Sequence, residues 1–557
     1  MKGKVIKMKR RLKLDFWTMV TIIITIIFAL FLVYPLFSLF ASGFRDPETQ
    51  EFTLTNFTKF FEKKYYYRTL WHSFLVTTCT TALAVAIGAP LAYFTTVYKV
   101  KFKGFLDILV IISMLSPPFI GAYSWILLCG RSGAVTKFLA NAFGIEAPSI
   151  YGFGGILLVL TLKLYPYIYL YTRGALKKVD ASLGEAAESL GCSSFRKIVT
   201  VILPLIAPTI LAGSLLVFMN ALADFGTPML IGEGYSVMPV LIYNEFISEM
   251  GGQANFAAAL AVILVIITGV MFLGQKYIVN KKSFTMSSLR PIQEKKLKGG
   301  KNLLLHVMTY LVVFLSIIPQ VTVIYTSFKK TKGSMFTEGF SLESYKSIFK
   351  NLAIPIINTY KFSIIAIVII ILLAMFIAYI TTRKRSWLTN IIDSMTMFPY
   401  IIPGSVLGIT LLLAFNQKPI LLSGTAVIVI MAFIVRRLPY TLRSSAAILY
   451  QISPSMEEAA ISLGDSPLAT FFKVTAIMMM PGVVSGAILS WITIINELSA
   501  SVILYTGNTR TMSVAIYTEV IRASYGTAAA LASILTLTTV VSLLLFFKLS
   551  GKKEISL

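Results

Sequence analysis

Residues 182–191, with the sequence SLGEAAESLG, return 273 positions later as residues 455–464, with the sequence SMEEAAISLG. Seven of the ten positions are identical, and the same offset continues without a gap until it places Asp224 opposite Glu497. A register that holds over such a distance indicates an internal duplication. The chain is therefore predicted to consist of two related halves, each with one copy of this polar stretch.

Both copies carry the signals of a short helix. Their Ser-x-x-Glu spacing predicts a capping box, in which the serine and the glutamate each accept a backbone hydrogen bond. Their final glycine can take the left-handed conformation that ends a helix. These residues are Ser182, Glu185 and Gly191 in the first copy and Ser455, Glu458 and Gly464 in the second. Because Ser466-Pro467 predicts another helix start, we expect a sharp turn and a second helix that leads into an apolar segment.

Long apolar blocks surround each copy. Of the 557 residues 56% are hydrophobic and only 13% are charged, whereas a soluble protein carries about 25% charged residues. A helix needs about 20 apolar residues to cross a bilayer core, and blocks of that length predict twelve spans. They are residues 16–40, 73–97, 106–129, 151–173, 206–229, 255–279, 303–327, 356–381, 389–415, 420–441, 481–505 and 526–548.

The net charge of +26 is concentrated beside these blocks. Seven Lys or Arg residues lie within residues 1–13 and eight within 276–301, as the positive-inside rule predicts for cytoplasmic segments. The distribution favours a lipid bilayer over nucleic acid as the partner and places both termini in the cytoplasm. The loop 231–254 is predicted outside, since it has three glutamates and no Lys or Arg. Segment 328–340 is an exception, because it is also predicted outside but carries three lysines.

Six spans in each half would give both halves the same orientation. We predict a first half over residues 1–280, a cytoplasmic linker over 281–301 and a second half over 302–557. The repeated stretches lie in loops 174–205 and 444–480, between the fourth and fifth spans of each half. The predicted fold class is an all-α polytopic membrane protein with 12 transmembrane helices as two parallel six-helix repeats.

The repeated loop resembles the signature loop of permeases from bacterial ATP-binding-cassette (ABC) importers. That signature reads E-A-A-x-x-x-G, nine residues, an apolar residue, x and Leu-Pro. The first copy matches it through Glu185-Ala186-Ala187, Gly191, Val201 and Leu203-Pro204. The second copy matches through Glu458-Ala459-Ala460, Gly464 and Val474. Ala476-Ile477 replaces Leu-Pro there, which predicts a weaker second helix break and unequal docking loops.

The resemblance covers both halves and implies the fold of a type I importer permease. In that family the loop is a coupling helix, which fits into a groove of the ATPase subunit. The resemblance therefore implies ATPase-coupling roles for Glu185, Ala186, Ala187, Gly191, Glu458, Ala459, Ala460 and Gly464. It also implies two copies of an ABC ATPase subunit, an extracytoplasmic solute-binding protein, and a location in the bacterial cytoplasmic membrane.

The fused arrangement is most similar to ferric iron permeases, so ferric iron is the expected solute. Permeases for thiamine, 2-aminoethylphosphonate and polyamines have similar loops and stay as alternatives. A secondary transporter is an alternative of another class, but it predicts no docking loop, and a third alternative is a membrane scaffold that transports nothing. The sequence contains no G-x-x-x-x-G-K-[ST] phosphate loop. We therefore expect no enzymatic activity and no cofactor on this chain, with ATP and Mg²⁺ bound by the partner subunits.

Asp224 and Glu497 are the candidates for the translocation path or its gate, because ionisable residues within spans usually face a cavity. In one interpretation the two carboxylates form a cation-attracting ring near the pseudo-twofold axis. In the other, each carboxylate caps or pins a broken helix. Arg436, Arg437 and Arg443 are expected to snorkel towards the cytoplasm. No metal site is predicted, since the three cysteines and two histidines have no ligand spacing.

Overall fold

A computed structural model of the protein describes residues 15–550, apart from residues 47, 116, 248–252, 282–289, 291 and 334. The basic N-terminal cluster, one of the glutamates in loop 231–254 and nine of the 21 residues of the predicted linker lie outside the described residues. The described chain is helical except for an antiparallel hairpin of β1 (Lys329–Lys332) and β2 (Met335–Phe340). This hairpin occupies the lysine-rich segment 328–340 and corrects the all-α expectation by one small sheet.

The helices of the first half precede the linker. They are α1 (Phe16–Phe28), α2 (Tyr34–Gly43), α3 (Thr55–Glu62), α4 (Lys64–Val97), α5 (Lys103–Leu115), α6 (Pro118–Cys129), α7 (Ala134–Phe143), α8 (Phe153–Leu176), α9 (Ala181–Ser189), α10 (Ser194–Lys197), α11 (Leu203–Leu222), α12 (Gly226–Ile231), α13 (Met238–Ile247) and α14 (Ala254–Lys281).

The helices of the second half follow the linker. They are α15 (Gly299–Ser327), α16 (Glu343–Asn351), α17 (Ala353–Arg383), α18 (Trp387–Met395), α19 (Phe398–Ile401), α20 (Gly404–Phe415), α21 (Ala426–Gln451), α22 (Ser455–Ser462), α23 (Pro467–Thr470), α24 (Ala476–Ile495), α25 (Ser501–Leu504), α26 (Met512–Ile521) and α27 (Tyr525–Ser550).

Many of these helices are long and apolar enough to cross a membrane. Within the described part of the chain there are nine, or up to eleven if each of two bent helix pairs counts as one span. Helix α21 covers much of the predicted tenth span, but it carries three arginines and is not one of the eleven. The structure therefore supports a polytopic helical membrane protein.

Two predicted spans, 106–129 and 389–415, are not straight helices. The first is broken between α5 and α6, with an angle of 99° between the flanking segments, and the second between α19 and α20, with an angle of 114°. Proline lies at each break, as Pro117-Pro118 and as Pro403. Proline ends a helix because it has no N–H and its ring clashes with the preceding turn.

The repeated stretches form α9 and α22, but the predicted capping boxes are wrong. Helix α9 begins one residue before Ser182, and the Asp180 carboxylate takes the N-cap position by accepting a hydrogen bond of 2.9 Å from the Ser182 N–H. Helix α22 begins at Ser455, and Pro454 precedes it without a side-chain cap. Both serines are already inside the first turn and cannot act as N-caps.

The turn after each short helix follows the prediction. Gly191 has φ = +81° and Gly464 has φ = +100°, in the left-handed region that glycine occupies at low cost. Ser193 and Ser466 then act as N-caps, since their hydroxyl oxygens accept hydrogen bonds of 3.3 Å and 3.2 Å from backbone N–H groups three residues later. Each turn therefore reverses the chain and starts the next helix at an equivalent position.

The second helix of each loop continues into a membrane span without a break. Residues Ile198–Ile202 and Phe471–Thr475 form π-helical turns at equivalent positions and join α10 to α11 and α23 to α24. The predicted starts of these spans, at 206 and 481, are therefore too late. The weaker break expected from the missing Leu-Pro is also wrong, because the second copy forms the same π-helical turn.

The two halves pack in the same way and exchange their first helices. Helices α4, α8 and α11 pack together in the first half, as α17, α21 and α24 do in the second. Helix α2 packs against α20 of the second half, and α15 packs against α5 and α6 of the first. Hydrogen bonds also join the halves: the Tyr123 hydroxyl donates to the Tyr525 carbonyl over 2.6 Å, and the Asn496 amide to the Leu115 carbonyl over 3.0 Å. These contacts form one continuous structure around the pseudo-twofold axis.

Candidate functional site

Asp224 and Glu497 lie in equivalent short breaks, immediately after α11 and α24. The Asp224 carboxylate accepts a hydrogen bond of 2.9 Å from the Thr227 N–H in the first turn of α12. The Glu497 carboxylate accepts one of 3.2 Å from the Ala500 N–H, just before α25. Each carboxylate therefore caps the short helix that follows its break, as the second of the two sequence-based interpretations describes.

Both carboxylates are also ion-paired. Asp224 pairs with Lys163 of α8 at 2.6 Å. Glu497 pairs with two residues of α21, Arg436 and Arg437, one at each carboxylate oxygen. The cation-attracting ring is therefore not formed, because each carboxylate already has its counter-charge. The snorkelling expected of Arg436 and Arg437 is also wrong; Arg443 instead pairs with Asp393 at 2.9 Å near the surface.

A cavity of about 130 Å³ lies between the halves and brings these groups together. Its lining is built from repeat-equivalent residues, each pair separated by 273 positions. These pairs are Lys163 and Arg436, Tyr167 and Tyr440, Asn220 and Thr493, Ala223 and Asn496, and Asp224 and Glu497. Lys163, Tyr167 and Tyr440 were not among the predicted site residues. The offset of the repeat was the signal that could have found them, since it aligns Lys163 with Arg436.

The cavity is not symmetric in charge. The residue next to Lys163 is Leu164, whereas the residue next to Arg436 is a second arginine, Arg437. The lining thus contains three cations and two carboxylates. Gly404 at the start of α20 makes room for this cluster, because a Cβ there would overlap the Arg436 guanidinium.

The short helices α9 and α22 present exposed apolar side chains at equivalent positions. Leu190 is 86% exposed and Leu463 is 90% exposed. Of the residues with predicted ATPase-coupling roles, Glu185, Ala186, Gly191, Glu458, Ala459 and Gly464 are exposed, Ala460 is half-buried and Ala187 is buried. The two short helices therefore end in equally exposed leucines at equivalent positions of the repeat.

The two short helices are anchored by different contacts. In the first half, Lys197 pairs with Glu188 of α9, and the hydrogen bond from this lysine holds the pKa of the Glu188 carboxyl below its usual value. The linker also contacts α9, since the Arg290 N–H donates to the Asp180 carboxylate over 3.1 Å. These contacts lie on the surface and involve the residues that connect the two halves.

In the second half the anchor is a buried carboxylate. Glu457 of α22 accepts hydrogen bonds of 3.0 Å from both Arg383 and Tyr379 of α17. The equivalent residue in the first half is Gly184. The second short helix is therefore tied to a membrane span by its own side chain.

No group of three or more His, Cys, Asp or Glu side chains in the described part of the chain is arranged to hold a metal ion. Two of the four tyrosines of α8 have hydrogen-bond partners. The Tyr165 hydroxyl lies 3.1 Å from the Ser316 hydroxyl, and the Tyr169 hydroxyl donates to the Asp107 carboxylate over 2.7 Å. The polar groups between the halves are therefore arranged as ion pairs and hydrogen bonds.

Comparison with known proteins gives the family. The family described as "Binding-protein-dependent transport system inner membrane component" matches residues 84–283 and 370–553. The chain belongs to this family. Each matched segment contains one short helix of the repeat and one carboxylate of the central cavity, so the duplication is a duplication of the family's own unit.

Several relatives are similar over different shares of the chain. The ferric transport system permease protein FbpB of Actinobacillus pleuropneumoniae is 30% identical over 97% of this chain and 79% of its own length. The putative ferric transport system permease protein FbpB 1 of Haemophilus influenzae is 29% identical over 88% of this chain and 78% of its own length. The spermidine/putrescine transport system permease protein PotB of Escherichia coli is 28% identical over 40% of this chain and 81% of its own length.

Family membership agrees with the fold and the sequence signature. The protein is a multi-pass permease of an ABC importer in the cytoplasmic membrane, and its task is transport rather than enzymatic catalysis. Members of this family work with an ABC ATPase and a solute-binding protein. This permease therefore has two candidate functional regions. One is the pair of exposed leucines at the ends of α9 and α22, and the other is the cavity between the halves.

Proposed function

We propose that this permease imports ferric iron delivered by an extracytoplasmic binding protein. The observation that carries the proposal is the extent of its similarity to other permeases. The two relatives named as ferric transport permeases match it through both halves, over 97% and 88% of the chain. The spermidine/putrescine relative matches only 40% of the chain. Ferric iron is therefore favoured over polyamines, thiamine and 2-aminoethylphosphonate.

The proposed topology has twelve spans, six in each half. The two bent pairs each count as one span, and α21 is the twelfth, because its Arg436 and Arg437 are neutralised in part by Glu497 within the protein. Ion pairing of this kind lowers the cost of charged groups at membrane depth. Both termini, the linker and the repeated loops then lie in the cytoplasm, and the hairpin β1–β2 lies outside.

The proposed mechanism is alternating access driven from the cytoplasm. One copy of the ATPase subunit docks on α9 and another on α22, covering Leu190 and Leu463. ATP and Mg²⁺ bind to those subunits. Because each docking helix leads through a π-helical turn into α11 or α24, a displacement of the helix moves the span that carries Asp224 or Glu497. The ion pairs beside the cavity then act as the gate.

The proposed solute is tested by uptake into proteoliposomes. Vesicles that contain the permease, its ATPase and its binding protein are supplied in parallel with ferric iron, spermidine, thiamine and 2-aminoethylphosphonate. We expect ATP-dependent accumulation of iron alone. Accumulation of one of the other solutes without iron would refute the assignment of ferric iron and leave the importer fold intact.

The docking helices are tested by charge reversal. Glu185 and Glu458 are exposed, so the double variant E185K/E458K should fold normally but lose transport-linked ATP hydrolysis. The matched control is E51K/E62K, which reverses two exposed glutamates on the proposed outer side. Equal ATP-dependent uptake by both variants would contradict the coupling roles of these residues.

A further inference from the structure

We propose that iron crosses this permease together with an oxyanion ligand, because the cavity between the halves presents cations to the passing solute. The inference rests on the proposed function and adds the chemical form of its solute. It concerns the charged groups that line the central cavity, namely Lys163, Asp224, Arg436, Arg437 and Glu497.

Within these ion pairs the cations are more exposed than the carboxylates. The side chains of Asp224 and Glu497 are only 3% and 2% exposed, whereas that of Lys163 is 19% exposed and those of Arg436 and Arg437 are 15% exposed. The carboxylates also accept backbone hydrogen bonds from the helices that follow them. The carboxylates are therefore more deeply buried than the cations that pair with them, although all five groups line the cavity.

The charged groups that line the cavity carry an excess of one positive charge. In the first half one lysine balances one carboxylate, but in the second half two arginines share Glu497. The pair with Glu497 does not saturate the Arg437 guanidinium, since its buried Nε has no hydrogen-bond partner in the part of the chain that the structure describes. Guanidinium groups with free N–H donors bind carboxylate and phosphate oxygens well, because their planar donors match two oxygens at once.

The charge of the solute decides whether the cations of the cavity repel it. The energy of two charges scales with their product and is large where water is scarce. A bare ferric ion would therefore meet three times the repulsion of a monovalent cation as it approached the ammonium and guanidinium groups that line the cavity. Iron bound to oxyanions whose negative charges total three or more is neutral or negative, so the same groups would not repel it. A carboxylate ligand such as citrate and inorganic phosphate both have this chemistry.

The experiment measures iron and anion in the same vesicles. Proteoliposomes with the permease, its ATPase, its binding protein and internal ATP receive ⁵⁵Fe with either ³²P-phosphate or ¹⁴C-citrate. We expect one of the two anions to accumulate with the iron in a constant ratio, and the two arms identify which. Accumulation of iron with neither anion above the leak would overturn the inference while leaving the proposed function standing. Absence of iron uptake in both arms, with uptake of another solute, would instead remove the proposed function.

Variants of Arg437 separate charge from packing. Arg437→Leu copies the first half, which has Leu164 at this position, and should lower anion-linked iron uptake about tenfold or more, as expected when a hydrogen bond to a charged group is lost. Arg437→Lys keeps the charge and should retain the anion-to-iron ratio. Arg443→Leu on the same helix, outside the cavity, is the control. The inference fails if the leucine and lysine variants of Arg437 lose uptake equally, or if the leucine variant carries the anion as well as the unmodified permease does.

Discussion

Two related ion pairs, one from each half, line the central cavity. Their comparison shows which features of the duplicated unit were preserved and which changed. Lys163 with Asp224 and Arg436 with Glu497 occupy the same positions of the repeat, at the same break between two helices. The geometry of the break is common to both halves. The charge is not, because Arg437 replaces a leucine and gives one half a second cation. A fused chain keeps this inequality in every molecule.

The docking helices show the opposite pattern. Their exposed leucines and their left-handed glycine turns are the same in both halves. What differs is the anchor of each helix, with a surface pair and the linker in one half and a buried carboxylate in the other. The two loops are thus alike in their turns and exposed leucines and unlike in the contacts that anchor them to the rest of the chain.

The largest effect should follow removal of the negative charge from the doubly paired carboxylate. Glu497→Gln leaves two buried arginines without a counter-charge, and breaking a buried ion pair costs about 3–5 kcal/mol. Asp224→Asn should cost less, since it leaves a single lysine that is partly exposed. The measurement is the apparent melting temperature of each purified variant in detergent, alongside uptake.

An exposed glutamate of α9 provides the control for the Asp224 and Glu497 variants. Glu185→Gln on the exposed face of α9 should leave the melting temperature unchanged, because it removes no buried pair. Equal destabilisation by the Asp224 and Glu497 variants would show that the second arginine does not depend on Glu497, and the charge inequality would then have no structural consequence.

A smaller effect is expected at the anchors of the docking helices. Glu457→Gln removes the charge that accepts hydrogen bonds from Arg383 and Tyr379, and hydrogen bonds to charged groups contribute about 1.5–3 kcal/mol. Because the anchor ties α22 to α17, we also expect weaker coupling of ATP hydrolysis to transport. The matched variant in the first half is Glu188→Gln, which should matter less because the Glu188 side chain is 41% exposed and that of Glu457 only 10%. A larger loss of melting temperature for Glu188→Gln would reverse this assignment.

The repeat predicted the organisation of the molecule because its constant offset relates each position in one half to a position in the other. The offset that joins Gly191 to Gly464 also joins the two π-helical turns and the two cavity carboxylates, so the paired loops and the paired breaks follow from one alignment. The same offset, followed into α8 and α21, would have revealed Lys163 opposite Arg436. Arginines near the end of an apolar block suggest snorkelling, and only the tertiary structure shows that a carboxylate from another helix reaches them.

The broken spans could not be predicted from block length. Proline lies inside several uninterrupted helices, for example Pro90 in α4 and Pro166 in α8, and yet it accompanies the breaks before α6 and α20. Whether a helix continues through proline depends on neighbours that satisfy the freed backbone groups. The capping boxes failed for a local reason, because the N-cap position belongs to Asp180, two residues before Ser182, and to Pro454, one residue before Ser455.

The smallest effect should be equal in the two halves, which makes it the strictest test of their likeness. Ser193 and Ser466 cap the second helix of each loop with hydrogen bonds of similar length, and replacing such a cap by alanine costs about 0.5–2 kcal/mol. Hydrogen exchange should therefore accelerate by similar factors in segments 194–202 of Ser193→Ala and 467–475 of Ser466→Ala. Ser189→Ala and Ser462→Ala, at exposed positions of the docking helices, serve as controls with little change. If only one cap variant loosens its segment, the missing Leu-Pro of the second copy does alter the stability of its loop, although the backbone of the two loops is the same.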